Sequence, residues 1–475
     1  MDLLFFCTLK RGGENARIFS GRPKECDMDF IGQIVDAVNS VLWGWLLLFL
    51  LCGTGIFYTI RLRFIQLRRF PHAFRRLFSN ISLNGESADH TGMSSFQALA
   101  TAVAAQVGTG NIAGAATAIA AGGPGAIFWM WLSAFFGMAT NYAEAVLAQK
   151  YKSTNERGET VGGPAYYIRA AFTGTFGKTL AAFFSVAIIL ALGFMGNMVQ
   201  SNSIGAAFST AFGISPVLVG VVVALISAAI FIGGAKRIAW VMEKLVPLMA
   251  LLYVGGCLII IFANISALPG AFKTIFVMAF DPQSAGGGAL GITVREAMRY
   301  GVARGLFSNE AGMGSTPHAH ALAKVAHPDD QGMMAMMGVF IDTFVVLTCT
   351  ALVIVITGVW NSGITGTELA QTAFDTVFGS FGNIYIAICL FFFAFSTIIG
   401  WYFFGEANVK ALFGAKYVKI YAAIVVLFIV IGSGLKVNLV WNMSDMFNGL
   451  MVLPNLIGLL ALSGVVVAIA KSKKE

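Results

Sequence analysis

Apolar residues run in blocks of roughly 20 separated by short polar loops, the length that carries a helix across the hydrocarbon of a bilayer. About eleven such spans are predicted, near 38–60, 93–121, 124–149, 178–205, 215–234, 238–262, 290–316, 331–358, 382–406, 417–434 and 438–470, called spans 1 to 11 here. Two of them do not keep the pattern. In span 2 the run Gln106 to Gly114 reads Gln-Val-Gly-Thr-Gly-Asn-Ile-Ala-Gly, and in span 7 Arg304 to Thr316 reads Arg-Gly-Leu-Phe-Ser-Asn-Glu-Ala-Gly-Met-Gly-Ser-Thr. Closely spaced glycines weaken a helix and let the backbone open. An opened turn in hydrocarbon leaves N–H and C=O groups unpaired at several kcal/mol each, so it persists only where it lines a cavity with a polar guest.

The polar loops orient the spans. Arg61, Arg63, Arg68, Arg69, Arg75 and Arg76 follow span 1, and Lys150, Lys152, Arg157, Arg169 and Lys178 follow span 3. Lys236, Arg237 and Lys244 follow span 5, Lys410, Lys416 and Lys419 follow span 9, and Lys471, Lys473 and Lys474 end the chain. The alternate loops are nearly free of Lys and Arg, which predicts a cell-membrane protein with its C-terminus in the cytoplasm and its N-terminus outside. With span 1 set aside, spans 2–6 (93–262) and spans 7–11 (290–470) are two sets of five that enter from opposite faces, each beginning with an interrupted helix. That is the pattern of an inverted-repeat transporter with its binding site at the two breaks. The fold class expected is therefore an all-α polytopic membrane protein, a five-plus-five inverted repeat with two discontinuous helices.

Composition agrees: 57% of residues are hydrophobic and 11% charged, too little polar surface for a soluble globule. The net charge of +8 lies in the loops and does not signal nucleic acid. Cys7, Cys26, Cys52, Cys257, Cys349 and Cys389 have no paired spacing and read as apolar filler. Residues 1–27 carry five basic side chains on the face predicted to be external, whereas a chain begun at Met28 carries none before span 1. We expect 1–27 to be an extension that is not translated and 28–475 to be a single transmembrane domain.

At the first break, the N–H groups freed at Gly108 and Gly110 suit an anion such as a substrate carboxylate. The carbonyls from Ala104 to Val107 point the other way and suit Na⁺, with the Asn111 side-chain oxygen nearby. The competing reading of Gly-x-Gly is a close-packing surface. At the second break, Ser308, Asn309, Ser315 and Thr316 offer oxygens. Glu310 is a charge at depth that needs a cavity or a partner; Arg304 is one candidate. Ser396 and Thr397 sit together in span 9, where hydroxyls ordinarily bond one turn back. Asp342 and Thr343 in span 8, and Asn197, Gln200 and Asn202 in span 4, are read as interhelical packing or as outer support for the site. His318, His320 and His327 fall in a predicted solvated loop without a metal-binding pattern. No nucleophile or acid–base pair lies at depth, so an enzyme is not expected, and no cofactor is called for.

Gly-Thr-Gly-Asn-Ile-Ala-Gly at 108–114, Gly-Gly-Pro-Gly-Ala-Ile-Phe-Trp-Met-Trp at 122–131, Gly-Met-Ala-Thr at 137–140 and Ser-Asn-Glu-Ala-Gly-Met-Gly-Ser at 308–315 resemble the alanine or glycine:cation symporter family, from about Asp29 to the C-terminus. One departure is Asn141, where that family commonly has Lys. Shorter pieces, Val107 to Asn111 and Phe307-Ser308 with Gly312 and Gly314, are similar to the neurotransmitter:sodium symporters. The resemblance implies a principal sodium site made by the Ala104 and Val107 carbonyls with Ser396 and Thr397. It places Asn111 and Ser308 at a second ion or substrate-carboxylate position and Phe307 closing over the substrate; with Gln106, Gly108, Thr109, Gly110 and Gly312 at the two breaks, these are the substrate contacts expected. Glu310 and Asp342 are held as outer support or a second ion site. The function expected is Na⁺-coupled import of a small neutral amino acid, alanine or glycine, by alternating access. The alternatives are proton coupling, a glutamine preference, or an amino-acid-gated channel or receptor.

Overall fold

The computed structural model describes residues 23–79, 92–155, 158–281, 293–435 and 437–472; most of the proposed extension, residues 1–22, lies outside them. Apart from a hairpin pairing Ser153–Thr154 with Thr160–Val161, the described secondary structure is helical. All eleven spans are present. Span 1 runs through Pro23–Val41, a π turn at Leu42–Leu46 and Leu47–Arg61. Span 3 is Ala126–Lys150, span 5 Pro216–Phe231, span 6 Gly234–Ala263, span 9 Phe381–Phe413 and span 10 Val418–Ser433. Spans 4, 8 and 11 are also interrupted: 4 and 8 by π turns at Ile189–Gly196 and Phe340–Leu347, 11 between Ala461 and Ser463.

Seven of the described helices are long and apolar enough to cross a membrane by themselves. Spans 2 and 7 fall outside that measure because they are split, span 5 because it is short, and span 3, though 25 residues long, because Thr140, Asn141, Glu144 and Gln149 make it less apolar. Spans 5, 6 and 10 turn Leu225, Leu251, Phe262, Ile420 and Leu427 outward, as a lipid-facing rim must.

The two halves repeat in detail. Each interrupted span opens on a reciprocal capping box, Ser94 with Gln97 and Thr293 with Glu296, which satisfies the orphan N–H groups of the first turn. Each half also inserts a short helix just before its third span, Pro164–Ala171 ahead of span 4 and Gly366–Phe378 ahead of span 9. These helices, and Leu268–Phe280 after span 6, are additional to the eleven expected elements. The beginning of span 2 and the end of span 7 meet on one face through a parallel bridge between Met93 and Ala323: the Met93 N–H donates to Leu322 O and the Lys324 N–H to Met93 O, both at 2.9 Å. The two interrupted helices thus run in opposite directions, as inversion requires.

The interior is built around spans 2 and 7. Span 3 packs on spans 1, 7 and 8, while span 9 packs on spans 2, 4 and 6. After span 1 the chain turns through Arg63 and Phe64, both in the left-handed region at φ 55° and 53°, into the short helices Ile65–Arg68 and Phe70–Ser79. There Arg69 and Arg76 pair with Asp329 and Asp330 at the start of span 8, each at 2.5 Å.

Candidate functional site at the two helix breaks

Span 2 is helical over Ser95–Gln106, opens at Val107 (ψ 87°) and resumes at Gly110. The opening follows from one side chain. Asn111 Oδ1 captures the Gly108 N–H at 3.0 Å, which in a continuous helix would bond the Ala104 carbonyl. The Asn111 N–H in turn goes to Gly108 O at 3.2 Å instead of to Val107 O. The carbonyls of Ala104 and Val107 are thereby released from the helix ladder.

The Ala104 carbonyl is met by span 9. It accepts from Thr397 Oγ1 at 2.9 Å and from Ser396 Oγ at 3.3 Å, while both hydroxyls also bond one turn back to Phe393 O. The local and the long-range roles of these hydroxyls therefore coexist. Gly108 makes the contact possible, because a Cβ there would collide with the Thr397 hydroxyl. All of these groups are buried.

A second cluster centres on Asp342. Its Oδ1 accepts from Asn111 Nδ2 at 2.7 Å and from Ser308 Oγ at 2.9 Å, and its Oδ2 from Thr343 Oγ1 at 2.8 Å. Span 2 and span 7 touch directly here: a Cβ on Gly110 would lie 3.1 Å from Ser308 Cα. Gln106 Nε2 joins the breaks by donating to Asn309 O at 2.7 Å, and Gln106 Oε1 and Thr109 Oγ1 are buried without a hydrogen-bond partner. Asp342, held from the sequence as outer support or a second ion site, stands at the centre of this cluster. Gln200 also moves inward from the packing role expected of it: its Oε1 accepts the Thr109 N–H at 3.2 Å. Asn202 keeps the packing role, bonding Gly432 O and Leu435 O of span 10 and its exit.

The second break turns on Glu310 in the left-handed conformation (φ 56°), with Gly312 and Gly314 at φ 84° and 80°. Glu144 of span 3 holds it open. Its carboxylate accepts the N–H groups of Gly312 at 3.0 Å and Gly314 at 2.9 Å, and Asn455 Nδ2 at 2.7 Å. Gly312 is therefore bound to Glu144 and packed on Leu51 and Leu456, not gathered with the first break as a substrate contact. Sequence reasoning passed over Glu144, although a carboxylate in an apolar span is itself a signal of function. Glu310 is satisfied by Ser315 and by Trp401 Nε1. Arg304 does not pair with it: a continuous helix carries Arg304 to the opposite side of Phe307, where the guanidinium forks onto Asp445 at 2.8 and 3.0 Å. No Lys or Arg pairs with Glu144, Glu310 or Asp342 among the described residues.

Phe307 packs between Trp401 and Trp441, with ring centroids 6.0 and 5.2 Å away. Asn141 takes Thr316 Oγ1 on its own oxygen and donates to Ala335 O, so it ties the second break to span 8. His318 and His320 are buried, contrary to the solvated loop expected. The returning half of span 7, Pro317–Ala321, carries them inward, His318 to Ser315 O and Asn408 and His320 to Gln331.

Two interrupted, antiparallel helices that meet at the centre of an internally repeated bundle, with backbone carbonyls freed at the first break and buried carboxylates that pair with no described Lys or Arg beside both, define a secondary transporter of the broken-helix class. Solved structures share the architecture: a structure titled MhsT in complex with L-phenylalanine superposes at a TM-score of 0.57 with 14% identity, covering 81% of this chain and 99% of that one. The chain belongs to the sodium:alanine symporter family, whose sequence profile matches residues 28–474. Among curated relatives, the sodium/alanine symporter AgcS of Methanococcus maripaludis is 46% identical over 94% of this chain and 98% of its own. The probable sodium/glutamine symporter GlnT of Bacillus subtilis is 42% identical over 91% and 89%.

Proposed function

We propose that this protein imports alanine or glycine together with Na⁺ by exposing the two helix breaks alternately to either side of the membrane, with the face of the basic loops in the cytoplasm. The observation that carries the reading is the Ala104 carbonyl, turned out of its helix and brought to Ser396 and Thr397 of span 9. With the Val107 carbonyl beside it, this is an uncharged all-oxygen set suited to a hard monovalent cation. The name of the archaeal relative favours alanine, and that of the Bacillus subtilis relative keeps glutamine as the rival.

In this reading the substrate lies against Gly108, Thr109, Gly110, Asn111 and Ser308, beneath Phe307. Asp342 supplies the negative charge opposite its ammonium group or a second Na⁺. One Na⁺ is energetically sufficient. A potential supplies about 2.3 kcal/mol per 100 mV and a tenfold gradient about 1.4 kcal/mol more, enough for accumulation of roughly several hundredfold.

The test is uptake of labelled alanine into liposomes holding the purified protein, with and without an inward Na⁺ gradient, in competition with glycine, D-alanine, serine and glutamine. The expected result is concentrative, Na⁺-dependent uptake displaced by glycine, and in Thr397→Ala a raised Na⁺ requirement with an unchanged competition profile. Uptake that ignores Na⁺ but follows a pH gradient would overturn the coupling. Displacement by glutamine in preference to glycine would overturn the substrate.

A further inference from the structure

A cavity of about 340 Å³ opens on the face of the basic loops. Its walls come from the same two elements that meet at the Ala104 carbonyl. Met93 lies just before the half-helix Ser95–Gln106 that carries Ala104, and Phe403, Glu406 and Lys410 continue span 9 below Thr397. At 1.5 Å per helical residue, Glu406 lies about 13 Å below Thr397 along span 9. The returning half of span 7 contributes His318, whose two ring nitrogens are engaged by Ser315 O and Asn408.

Glu406 is unusual among these lining groups. It is 4% exposed; Lys410 reaches one carboxylate oxygen at 2.6 Å from one turn below, and the Tyr402 hydroxyl lies beside the carboxylate from one turn above, yet the other oxygen, Oε2, is buried with no donor in hydrogen-bonding geometry. A buried carboxylate oxygen left open costs more than a satisfied one, so the site is set to accept a further positive charge. Lys410 is the more exposed member of the pair, and its ammonium is held by a long flexible stem.

We propose that Glu406 is a relay ligand for the coupling cation between the Ala104–Thr397 site and the face of the basic loops, and that Lys410 is its tethered competitor. A Na⁺ ion leaving the Ala104 carbonyl descends along span 9, binds Glu406 while the lysine ammonium swings away, and is expelled when the ammonium returns. The exchange keeps the local charge nearly constant. This inference rests on the sodium-coupled reading above.

The experiment measures alanine uptake in membrane vesicles of both orientations, so that Na⁺ can be titrated at each face separately. Glu406→Gln keeps the shape of the side chain and removes its charge. It is expected to raise about fivefold or more the Na⁺ concentration that acts at the face of the basic loops, and to leave the half-saturating Na⁺ at the opposite face unchanged. Lys410→Gln is expected to shift the first value the other way. A general loosening of the fold moves both faces together, so equal shifts at both faces overturn the relay, as does a Na⁺-dependent protein in which neither variant shifts either face. If the wild type itself takes up alanine without regard to Na⁺, the parent reading fails and the relay with it. That outcome is distinct, because it is seen before any variant is made.

Discussion

Glu144 accepts the N–H groups of Gly312 and Gly314 and the amide of Asn455, which also reaches Gly312 O at 2.9 Å. Each donor left unsatisfied in the interior costs about 1–3 kcal/mol, so Glu144→Ala is expected to destabilise the protein severely. A fall in the thermal unfolding temperature of the detergent-solubilised protein, larger than that of Glu144→Gln, checks this; an unchanged temperature would remove Glu144 as the brace of the second break. The residue also marks where sequence reading stopped. Asn111, Ser308, Ser396 and Thr397 were legible because their chemistry sits inside or beside a glycine-interrupted motif. Glu144 lies in an unbroken apolar helix, and its partners are 168 and more residues away, so nothing nearby in the chain points to its task. The Arg304–Asp445 fork spans 141 residues and was unreadable for the same reason.

At the scale of the element, the first break depends on Gly108 for space as well as freedom. A methyl group there would push the Thr397 hydroxyl away from the Ala104 carbonyl, with the Thr397 Cβ at 3.2 Å leaving little room to yield. Gly108→Ala is therefore expected to leave a folded, membrane-inserted protein whose uptake has lost most of its Na⁺ dependence. Gly53→Ala in span 1, where an added Cβ meets nothing within 4 Å, is expected to be neutral. Full Na⁺-dependent transport by Gly108→Ala would show that the carbonyl and the hydroxyl need not meet. Both breaks were legible because the glycines come with polar neighbours, Asn111 at the first and Ser308, Asn309 and Glu310 at the second, and because the two interruptions match. The short helices Pro164–Ala171, Leu268–Phe280 and Gly366–Phe378 were not, since at 8 to 13 residues each falls short of the length that marks a span. The buried positions of His318 and His320 escaped because polarity resembles a loop when the acceptors that satisfy it come from elsewhere in the chain.

For the whole molecule, the repeat was readable from the loop charges and the two breaks, and the capping boxes and inserted helices extend it to details that hydropathy does not carry. One further link, the bridge between Met93 and Ala323, is not internal to either half. It fastens the start of one half to the first helix of the other on a single face, with two backbone hydrogen bonds that a side-chain change other than to proline leaves in place. If that fastening holds as a rivet and not a latch, the two ends travel together and whatever slides during transport slides elsewhere. Paired strand residues lie within reach of a disulfide. Met93→Cys combined with Ala323→Cys, in a background lacking the six native cysteines, should therefore form a crosslink under oxidation and still transport. Reversible loss of uptake on crosslinking would show that the rivet opens after all. If transport survives, the two interrupted helices turn as one body about a shared end, and the search for moving parts narrows to the helices that surround them.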